Sequence, residues 1–253
     1  MNDTLKTIHK LHTTHGNFSR VKISDDELQT IIKASVRAAN ASARQSYSII
    51  VIEDRQDMKE YLQYEGSKAL IFCVDFTRLC DTAEYLGHQY DCGGVVDFVT
   101  ACTDTAMAAQ TAAIAAQSLG IDYMFTNSIH RNDLSRLCSK LELPQKYCFP
   151  LIALVLGYAK TNEVTVRGRL DGIGIVHYKR YQRLSKAELQ KLVDLHDDEG
   201  KNMGVVFFKR NKEQIYDRYM DWFYRIWCKP DSQLRSQKRQ EMTDFLKQSG
   251  FLD

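Results

Sequence analysis

Two short stretches of this sequence combine residue types that could bind a metal ion or an anion. The stretch LHTTHGNFS at 11–19 contains His12 and His15, which together with His9 place a histidine at every third position. Three histidines could ligate a metal ion, but no Cys, Asp or Glu within the stretch completes a ligand set. The alternative is a polar turn that ends a short helix, and no metal site is predicted.

The second stretch is VRGRL, which carries Arg167 and Arg169. Side chains two positions apart on an extended backbone point the same way, so the two guanidinium groups could close on one phosphate. The alternative is a solvated basic loop. The nearby LDGIGIVH at 170–177 lacks the third glycine of the dinucleotide fingerprint, and the chain has no GxxxxGK[ST] or GxSxG motif.

Composition limits the class of protein. With 253 residues, 44% of them hydrophobic and no Pro/Gly-rich linker, the chain is expected to form one domain over 1–253. A net charge of +2, without interleaved basic and aromatic residues, does not favour a nucleic-acid partner. Seven cysteines without CxxC spacing favour a reducing, cytoplasmic location. No segment predicts a signal peptide or a membrane span.

The first half of the chain predicts alternating helices and strands. Apolar spacing predicts a first helix over 4–12, and the capping box that begins at Ser24 predicts a second over 25–38. Short apolar runs at 48–52 and 69–74 predict buried strands of one sheet.

The middle of the chain predicts a central helix over Thr103 to Leu119, with Thr103 as a candidate N-cap. Its many alanines would let neighbours approach on several sides, as at the centre of a domain or at a subunit contact. A shorter helix from Asn132 to Lys140 and a buried strand over 151–156 follow.

The last third is predicted to be mostly helical. After a polar, partly extended connection over 161–183, the capping box at Ser185 predicts a helix to about 196. Helical spacing continues through two apolar sets, which are Ile215, Tyr219, Trp222, Phe223 and Ile226, and then Leu234, Met242, Phe245 and Leu246.

Several segments, taken in chain order, resemble the flavin-dependent nitroreductase family, and in particular its oxygen-insensitive nitroreductase and flavin reductase subgroup. HTTHGNF at 12–18 stands where that family has an HRSxRxF-like segment. The polar loop and first strand of ISDDELQTIIKASVRAANASARQSYSIIVIED at 23–54 also match. The likeness continues through DTAMAAQ at 104–110, LPQKYCFPLIALVLGYA at 143–159, VRGRL and the C-terminal FLKQSGF.

The resemblance implies an α+β fold with a mixed, mostly antiparallel sheet flanked by helices, in an interlocked homodimer that binds FMN at its interface. It also implies an FMN-dependent NAD(P)H oxidoreductase that reduces nitroaromatics, quinones or flavins by ping-pong hydride transfer. Donor and small-molecule acceptor would stack in turn on the flavin. Solvent can protonate the reduced acceptor, so no catalytic residue is assigned.

The resemblance further implies which residues bind FMN. The first segment would wrap the ribityl phosphate and the pyrimidine side of the ring, and a second loop would add further contacts. A loop after the central helix would cover the ring, and the two arginines would complete the phosphate site. In chain order these residues are His12, Thr13, Thr14, Gly16, Ala39, Asn40, Ala41, Gln45, Thr126, Asn127, Ser128, Arg167 and Arg169.

The sequence departs from the family at informative positions. Thr13 and Gly16 stand where the family carries arginines, so phosphate affinity must depend on Arg167, Arg169 and His12. Asn127-Ser128 replaces a Gly-Gly pair, and fewer cations near the ring would also alter the flavin potential. These departures keep open a flavin-binding protein with reduced or lost activity. A third hypothesis, nucleic-acid binding through the basic 161–183 region, lacks stacking aromatics or a recognised motif.

Overall fold

A computed structural model describes residues 1–161, 166–205, 216–228 and 233–252. The chain divides into two compact units, one formed by Met1–Val164 with Gln237–Asp253 and the other by Thr165–Ser236. A single domain over 1–253 stays a prediction. No helix within the described ranges is both long enough and apolar enough to cross a membrane.

The larger unit is built on a four-stranded sheet. Its strands are β1 (Tyr47–Ile52), β2 (Lys68–Asp75), β3 (Asp122–Thr126) and β4 (Cys148–Gly157). They lie in the order β1-β2-β4-β3, and each described pair of neighbours is antiparallel. The three predicted strands are confirmed, and each is longer than its apolar run. β3 was not predicted.

Both faces of the sheet are covered, which explains why β2 and β4 are apolar almost throughout. Leu70 and Phe72 of β2 face one hydrophobic cluster, which includes residues of the helices α2 (Asp25–Ser35) and α5 (Gly94–Ser118). Ile71 of β2 faces a second cluster on the opposite side, with Met58 and Ile129. The alternation follows from the two-residue period of a strand.

The helices before the sheet confirm most of the predicted pattern. α1 covers Asp3–His9, and α2 begins at the capping box in which Ser24 and Glu27 bond each other's backbone amides. α2 ends at Ser35 rather than at residue 38. The amides of Arg37 and Ala38 bond carbonyls only three positions back, which closes the last turn.

The prediction for the central helix was wrong at its start. α5 begins at Gly94 and not at Thr103, because the Thr103 hydroxyl donates to the carbonyl of Val99 one turn back and therefore lies inside the helix. Its central position is confirmed, since α5 contacts all four strands. Its buried face consists largely of small residues, which are Ala101, Thr105, Ala108, Ala109, Ala112, Ala113 and Ala116.

Shorter helices complete the larger unit. They are α3 (Arg55–Asp57), which runs into a π turn at Met58–Leu62, α4 (Thr77–Tyr85) and α6 (Leu134–Lys140). α6 starts two residues after the predicted Asn132, because Asp133 caps it by accepting from the amide of Arg136.

The smaller unit is mainly helical. α7 (Lys186–Asp197) begins at the predicted capping box, and α8 (Tyr219–Trp222) continues into a π turn at Phe223–Trp227. Trp222 and Val205 form its small core. The predicted connection over 161–183 has neither helix nor strand within its described residues. The C-terminal helix α9 covers Gln233–Gln248, and its residues from Gln237 onward belong to the larger unit. The predicted helical position Ile215 lies outside the described residues.

Candidate functional site

The first candidate segment, residues 12–17, forms a tight turn on the edge strand β3 and is called the first turn below. The amide of Thr14 donates to the carbonyl of Tyr123 at 3.1 Å, and the amide of Asn17 closes the turn on the carbonyl of Thr14 at 3.1 Å. Gly16 has a φ of +75°, and a Cβ there would lie 2.8 Å from Cδ1 of Tyr64. Glycine is therefore required by both conformation and space.

His12 anchors the start of the first turn. Its Nδ1 lies 2.9 Å from the carbonyl oxygen of Lys10, and its Nε2 lies 3.0 Å from Oδ1 of Asp122. The other oxygen of Asp122 accepts from the amide of Ala159 at 2.8 Å. Internal contacts thus occupy both ring nitrogens, and a direct contact of His12 with a phosphate stays a prediction.

Thr14 supplies an unused polar group in the first turn. Its hydroxyl is buried and has no hydrogen-bond partner among the described residues. A buried hydroxyl left unpaired costs free energy, which a ligand oxygen at this place would recover. The neighbouring Thr13 side chain is exposed. These donors, with the turn that Gly16 permits, fit the oxygen-rich ribityl phosphate of FMN.

The second candidate segment, residues 39–45, is a loop with unusual backbone geometry and is called the strained loop below. Ser42, Ala43 and Gln45 have φ values of 53°, 55° and 50°, in the left-handed region that favours glycine. A non-glycine residue held there costs on the order of 1–3 kcal/mol. Contacts from outside the loop must therefore hold its backbone.

Two side chains outside the strained loop bond its backbone. Asp104, a buried residue of α5, accepts from the amide of Ala41 through Oδ1 at 2.9 Å. Arg78 of α4 donates from Nη2 to the carbonyl oxygens of Arg44 at 3.0 Å and Gln45 at 2.7 Å. Sequence reasoning did not single out either residue for the site. Asp104 was quoted only as part of DTAMAAQ, and no motif marks Arg78.

Within the strained loop, the predicted ligand residues also bond one another. The Asn40 side-chain oxygen accepts from the amide of Gln45 at 3.1 Å. The side-chain nitrogen Nδ2 of Asn40 makes a long contact of 3.4 Å to the carbonyl of Ala38, and so could donate to a ligand. The Gln45 side chain donates to the carbonyl of Val36 at 3.3 Å. Ala39 is exposed, and it offers only its backbone.

The third candidate segment begins at Thr126, the last residue of β3, and its hydroxyl groups are bonded internally. Thr126 donates to Oγ of Ser128 at 2.9 Å, and Ser128 donates to the carbonyl of Leu62. Both side chains are buried, whereas Asn127 is exposed. Asn127 is therefore the side chain of this segment best placed for a ligand. Burial lowers the pKa of the adjacent His130, whose Nε2 bonds the carbonyl of Pro150 at 2.8 Å.

The two arginines belong to the smaller unit. Arg169 donates from Nη1 to the carbonyl oxygens of Arg167 at 3.1 Å and Gly168 at 2.9 Å. The amide of Gly168 donates to the carbonyl of Asn202 at 3.2 Å, which fixes the turn between the arginines. The paired phosphate clamp stays a prediction.

Within the larger unit, strand register separates the first turn from the strained loop. The first turn bonds β3 beside Asp122, which pairs with Gly157 of β4. The strained loop leads into Tyr47 of β1, which aligns through Val74 with Phe149 of β4. Gly157 and Phe149 are eight positions apart, or about 26 Å along the strand, and β1 lies three strand spacings, about 14 Å, from β3. One protomer therefore does not bring these two segments together around one small ligand.

The described residues contain no group of three or more His, Cys, Asp or Glu side chains that could hold a metal ion. Apart from His12 and the two arginines, the described cofactor candidates offer amides, hydroxyls and carboxamides. This donor set suits the phosphate, hydroxyl and carbonyl groups of a flavin nucleotide.

Comparison with known proteins gives consistent matches. The model of the nitroreductase family matches residues 12–158, beginning at the first residue of the first turn. The chain is 28% identical over 198 residues to an NADPH-flavin oxidoreductase of Vibrio harveyi, covering 75% of this chain and 79% of that one. It is 24% identical over 261 residues to an FMN reductase (NADPH) of Bacillus subtilis, covering 99% of each.

Solved structures share the fold. The structure of B. megaterium NfrA2 superposes with a TM-score of 0.83 at 23% identity, covering 100% of this chain and 99% of that one. Together with the helices and antiparallel sheet described above, this likeness confirms the predicted nitroreductase-like α+β fold.

Proposed function

The chain belongs to the nitroreductase family, and we propose that it is an FMN-dependent NAD(P)H oxidoreductase that reduces nitroaromatics, quinones or flavins. The first turn carries this proposal most directly, because it combines a glycine-dependent backbone with the unpaired buried hydroxyl of Thr14. The two relatives named above, an NADPH-flavin oxidoreductase and an FMN reductase, support the reaction class. They favour it over a flavin protein that has lost activity.

Bound FMN supplies the hydride chemistry, accepting from NAD(P)H and passing reducing equivalents to an acceptor. The residues of this chain bind and orient it. Thr13, Thr14 and the backbone at Gly16 donate hydrogen bonds to the ribityl phosphate side, with His12 fixing the turn. Arg167 and Arg169 add positive charge at the phosphate, which suits charge-assisted hydrogen bonding. The remaining contacts come from Ala39, Asn40, Ala41, Gln45, Thr126, Asn127 and Ser128.

The site requires two copies of the chain. The first turn and the strained loop lie at opposite corners of the sheet, so one FMN contacts both only if the strained loop comes from a second protomer. α5 offers a surface for that protomer. Its exposed residues recur at alternating intervals of three and four, the spacing of helix pairs, and include Val96, 77% exposed, and Val99, 58% exposed. The full stripe is Val96, Val99, Thr103, Ala106 and Gln110.

In a homodimer of this kind, both half-reactions take place in the same groove. Donor and acceptor are small molecules that bind in turn, which gives ping-pong kinetics. We assign no general acid, since the candidate residues are mostly amides and hydroxyls and solvent can protonate the product.

The cysteines support a cytoplasmic location. All seven are free thiols, and Cys73, Cys92 and Cys148 are buried. Free thiols persist in a reducing compartment.

The function is tested on the purified protein without added cofactor. The proposal predicts a visible flavin absorbance band that bleaches anaerobically when NADPH or NADH is added, and returns when a quinone or nitroaromatic is supplied. A flavin band that persists with both nicotinamides would support loss of activity. A colourless protein that does not take up FMN would refute the proposal.

The dimer is tested by sedimentation. The Val99→Lys variant places a charge in the α5 stripe and is expected to sediment as a monomer with weakened FMN binding. Val21→Lys is the matched control, because Val21 is equally exposed, at 58%, but lies outside α5. A dimeric Val99→Lys protein would mean that this stripe is not the interface.

A further inference from the structure

We propose that Arg78 and Asp104 are positioning residues that hold the strained loop in the conformation that binds FMN. The inference rests on the proposed function, since it takes the strained loop as part of the flavin site. Neither residue belongs to the set expected to touch FMN. The hydrogen bonds that each makes to the strained loop, described above, go to backbone atoms.

The strained loop lacks enough internal bonds to hold its own shape. Three of its seven residues have left-handed backbone angles without being glycine. Inside the loop, the amide of Gln45 bonds the Asn40 side chain, and the amide of Arg44 bonds the carbonyl of Ala41 at 3.0 Å. Without further restraint, a backbone of this composition would relax to more extended or right-handed angles.

Arg78 restrains the end of the strained loop. One nitrogen, Nη2, donates to the carbonyls of two consecutive residues, Arg44 and Gln45. A guanidinium that bonds two adjacent carbonyls fixes their relative orientation, because its donors have a rigid planar geometry. Gln45 is the left-handed residue that leads into β1, so this contact acts where the backbone most needs support.

Asp104 restrains the start of the strained loop. Asp104 is only 2% exposed and lies on a face of α5 that otherwise consists mainly of alanine. Oδ1 accepts from the amide of Ala41, whereas Oδ2 is buried without a hydrogen-bond partner among the described residues. Burying a carboxyl group at this place costs free energy. The described hydrogen bond of Asp104 goes to the strained loop, so we infer that this carboxyl group is buried there to hold the loop backbone.

Together the two side chains grip the strained loop at both ends, at Ala41 and at Arg44 with Gln45. A loop that occupies its binding conformation only part of the time binds ligand more weakly by that fraction. Removing either contact therefore weakens FMN binding, because the apo-protein adopts the binding conformation less often. No atom that touches FMN is removed.

The test compares Arg78→Ala with Arg136→Ala. Both arginines are exposed, but Arg136 pairs with Glu60 and does not contact the strained loop. Apo-protein of each variant is titrated with FMN, and amide exchange is followed over residues 39–47 before FMN is added. Arg78→Ala is expected to raise the dissociation constant about tenfold and to speed exchange in this segment, with an unchanged melting temperature. Arg136→Ala is expected to match the wild type.

Asp104 is tested by a rescue pair. Asp104→Ala removes the acceptor for the Ala41 amide and is expected to weaken FMN binding to a similar extent. Asp104→Asn keeps a carbonyl oxygen there and is expected to bind within about twofold of wild type. If Asp104→Ala does not fold, Arg78→Ala decides, because near-wild-type binding by Asp104→Asn is expected with or without a positioning role.

The outcomes separate the two proposals. A wild-type apo-protein that does not bind FMN overturns the proposed function. A wild type that binds FMN, with Arg78→Ala binding equally well, overturns the positioning role alone, whatever the exchange shows.

Discussion

The first turn and the strained loop solve the same problem by different means. Each bends the chain through left-handed backbone angles beside a predicted flavin contact. The first turn places Gly16 at one of its two left-handed positions, where the conformation costs little, and attaches to β3 through neighbouring residues. The strained loop uses Ser42, Ala43 and Gln45 instead, and depends on side chains from α4 and α5.

The difference has a physical consequence. Glycine removes the backbone cost at one left-handed position of the first turn, so this part of its geometry is written locally in the sequence. The strained loop stores conformational free energy that contacts elsewhere must balance. A change at Gly16 should therefore lower stability, whereas a change that frees the strained loop should weaken ligand binding even where it raises stability.

The largest expected effect concerns positive charge at the phosphate, which the first turn lacks because Thr13 and Gly16 stand where the family carries arginines. Changing Arg167 and Arg169 together to Ala should weaken FMN binding by about 3–6 kcal/mol, since charge-assisted hydrogen bonds contribute about 1.5–3 kcal/mol each. Titration of the apo-protein with FMN measures it. Arg180→Ala with Arg183→Ala, also in the smaller unit, is the matched control. An unchanged dissociation constant would make the first pair ordinary surface residues.

A smaller effect tests the glycine of the first turn. Gly16→Ala should lower the free energy of unfolding by about 2 kcal/mol, from the left-handed backbone and the contact with Tyr64. Gly120→Ala is the control, because its φ is +74° and no atom lies within 4 Å of the added Cβ. Urea unfolding measures both. Equal losses in the two variants would mean that the Tyr64 contact is unimportant.

The strained loop should respond in the opposite sense. Ala43→Gly relieves a left-handed residue and should raise the free energy of unfolding by up to about 1 kcal/mol. The same change should weaken FMN binding, because the freed loop samples more conformations. Ala39→Gly, at a position without positive φ, should instead lower the free energy of unfolding, by about 0.4–1 kcal/mol. Tighter FMN binding by Ala43→Gly would contradict the contrast between the two segments.

The smallest effect concerns pH and the loop after β3. Burial lowers the pKa of His130 from its ordinary value of 6.5, so the unfolded chain takes up a proton more readily than the folded one. Stability should therefore fall as the pH is lowered below about 6.5, down through the folded pKa. His130→Gln, which keeps a donor for Pro150, should show a shallower fall between about pH 7.5 and 5.5. Identical urea midpoints across that range would exclude this contribution.

The sequence predicted the elements whose signals are local. The capping boxes at Ser24 and Ser185 set helix starts to the residue, and continuous apolar runs located β1, β2 and β4. The start of α5 was missed because a threonine that bonds the preceding turn has the same residue type as an N-cap. The edge strand β3 was missed as well.

The candidate site was predictable only where the family resemblance supplied positions. No local pattern marks left-handed angles at Ser42 and Ala43, since the contacts that hold them come from distant parts of the chain. Arg78 is 33 residues beyond Gln45, and Asp104 is 63 residues beyond Ala41. Side chains whose partners are set by tertiary packing leave no periodic signal in the sequence.

Two adjacent residues of α5 lie on different faces of the helix. Thr103 lies in the outward stripe that we propose as the contact with a second copy, whereas Asp104 bonds the strained loop. In the proposed dimer, subunit association and flavin retention are expected to be thermodynamically linked, because the same helix carries both positions. Dilution should make the protein shed its yellow colour, and excess flavin should drive separated subunits back together.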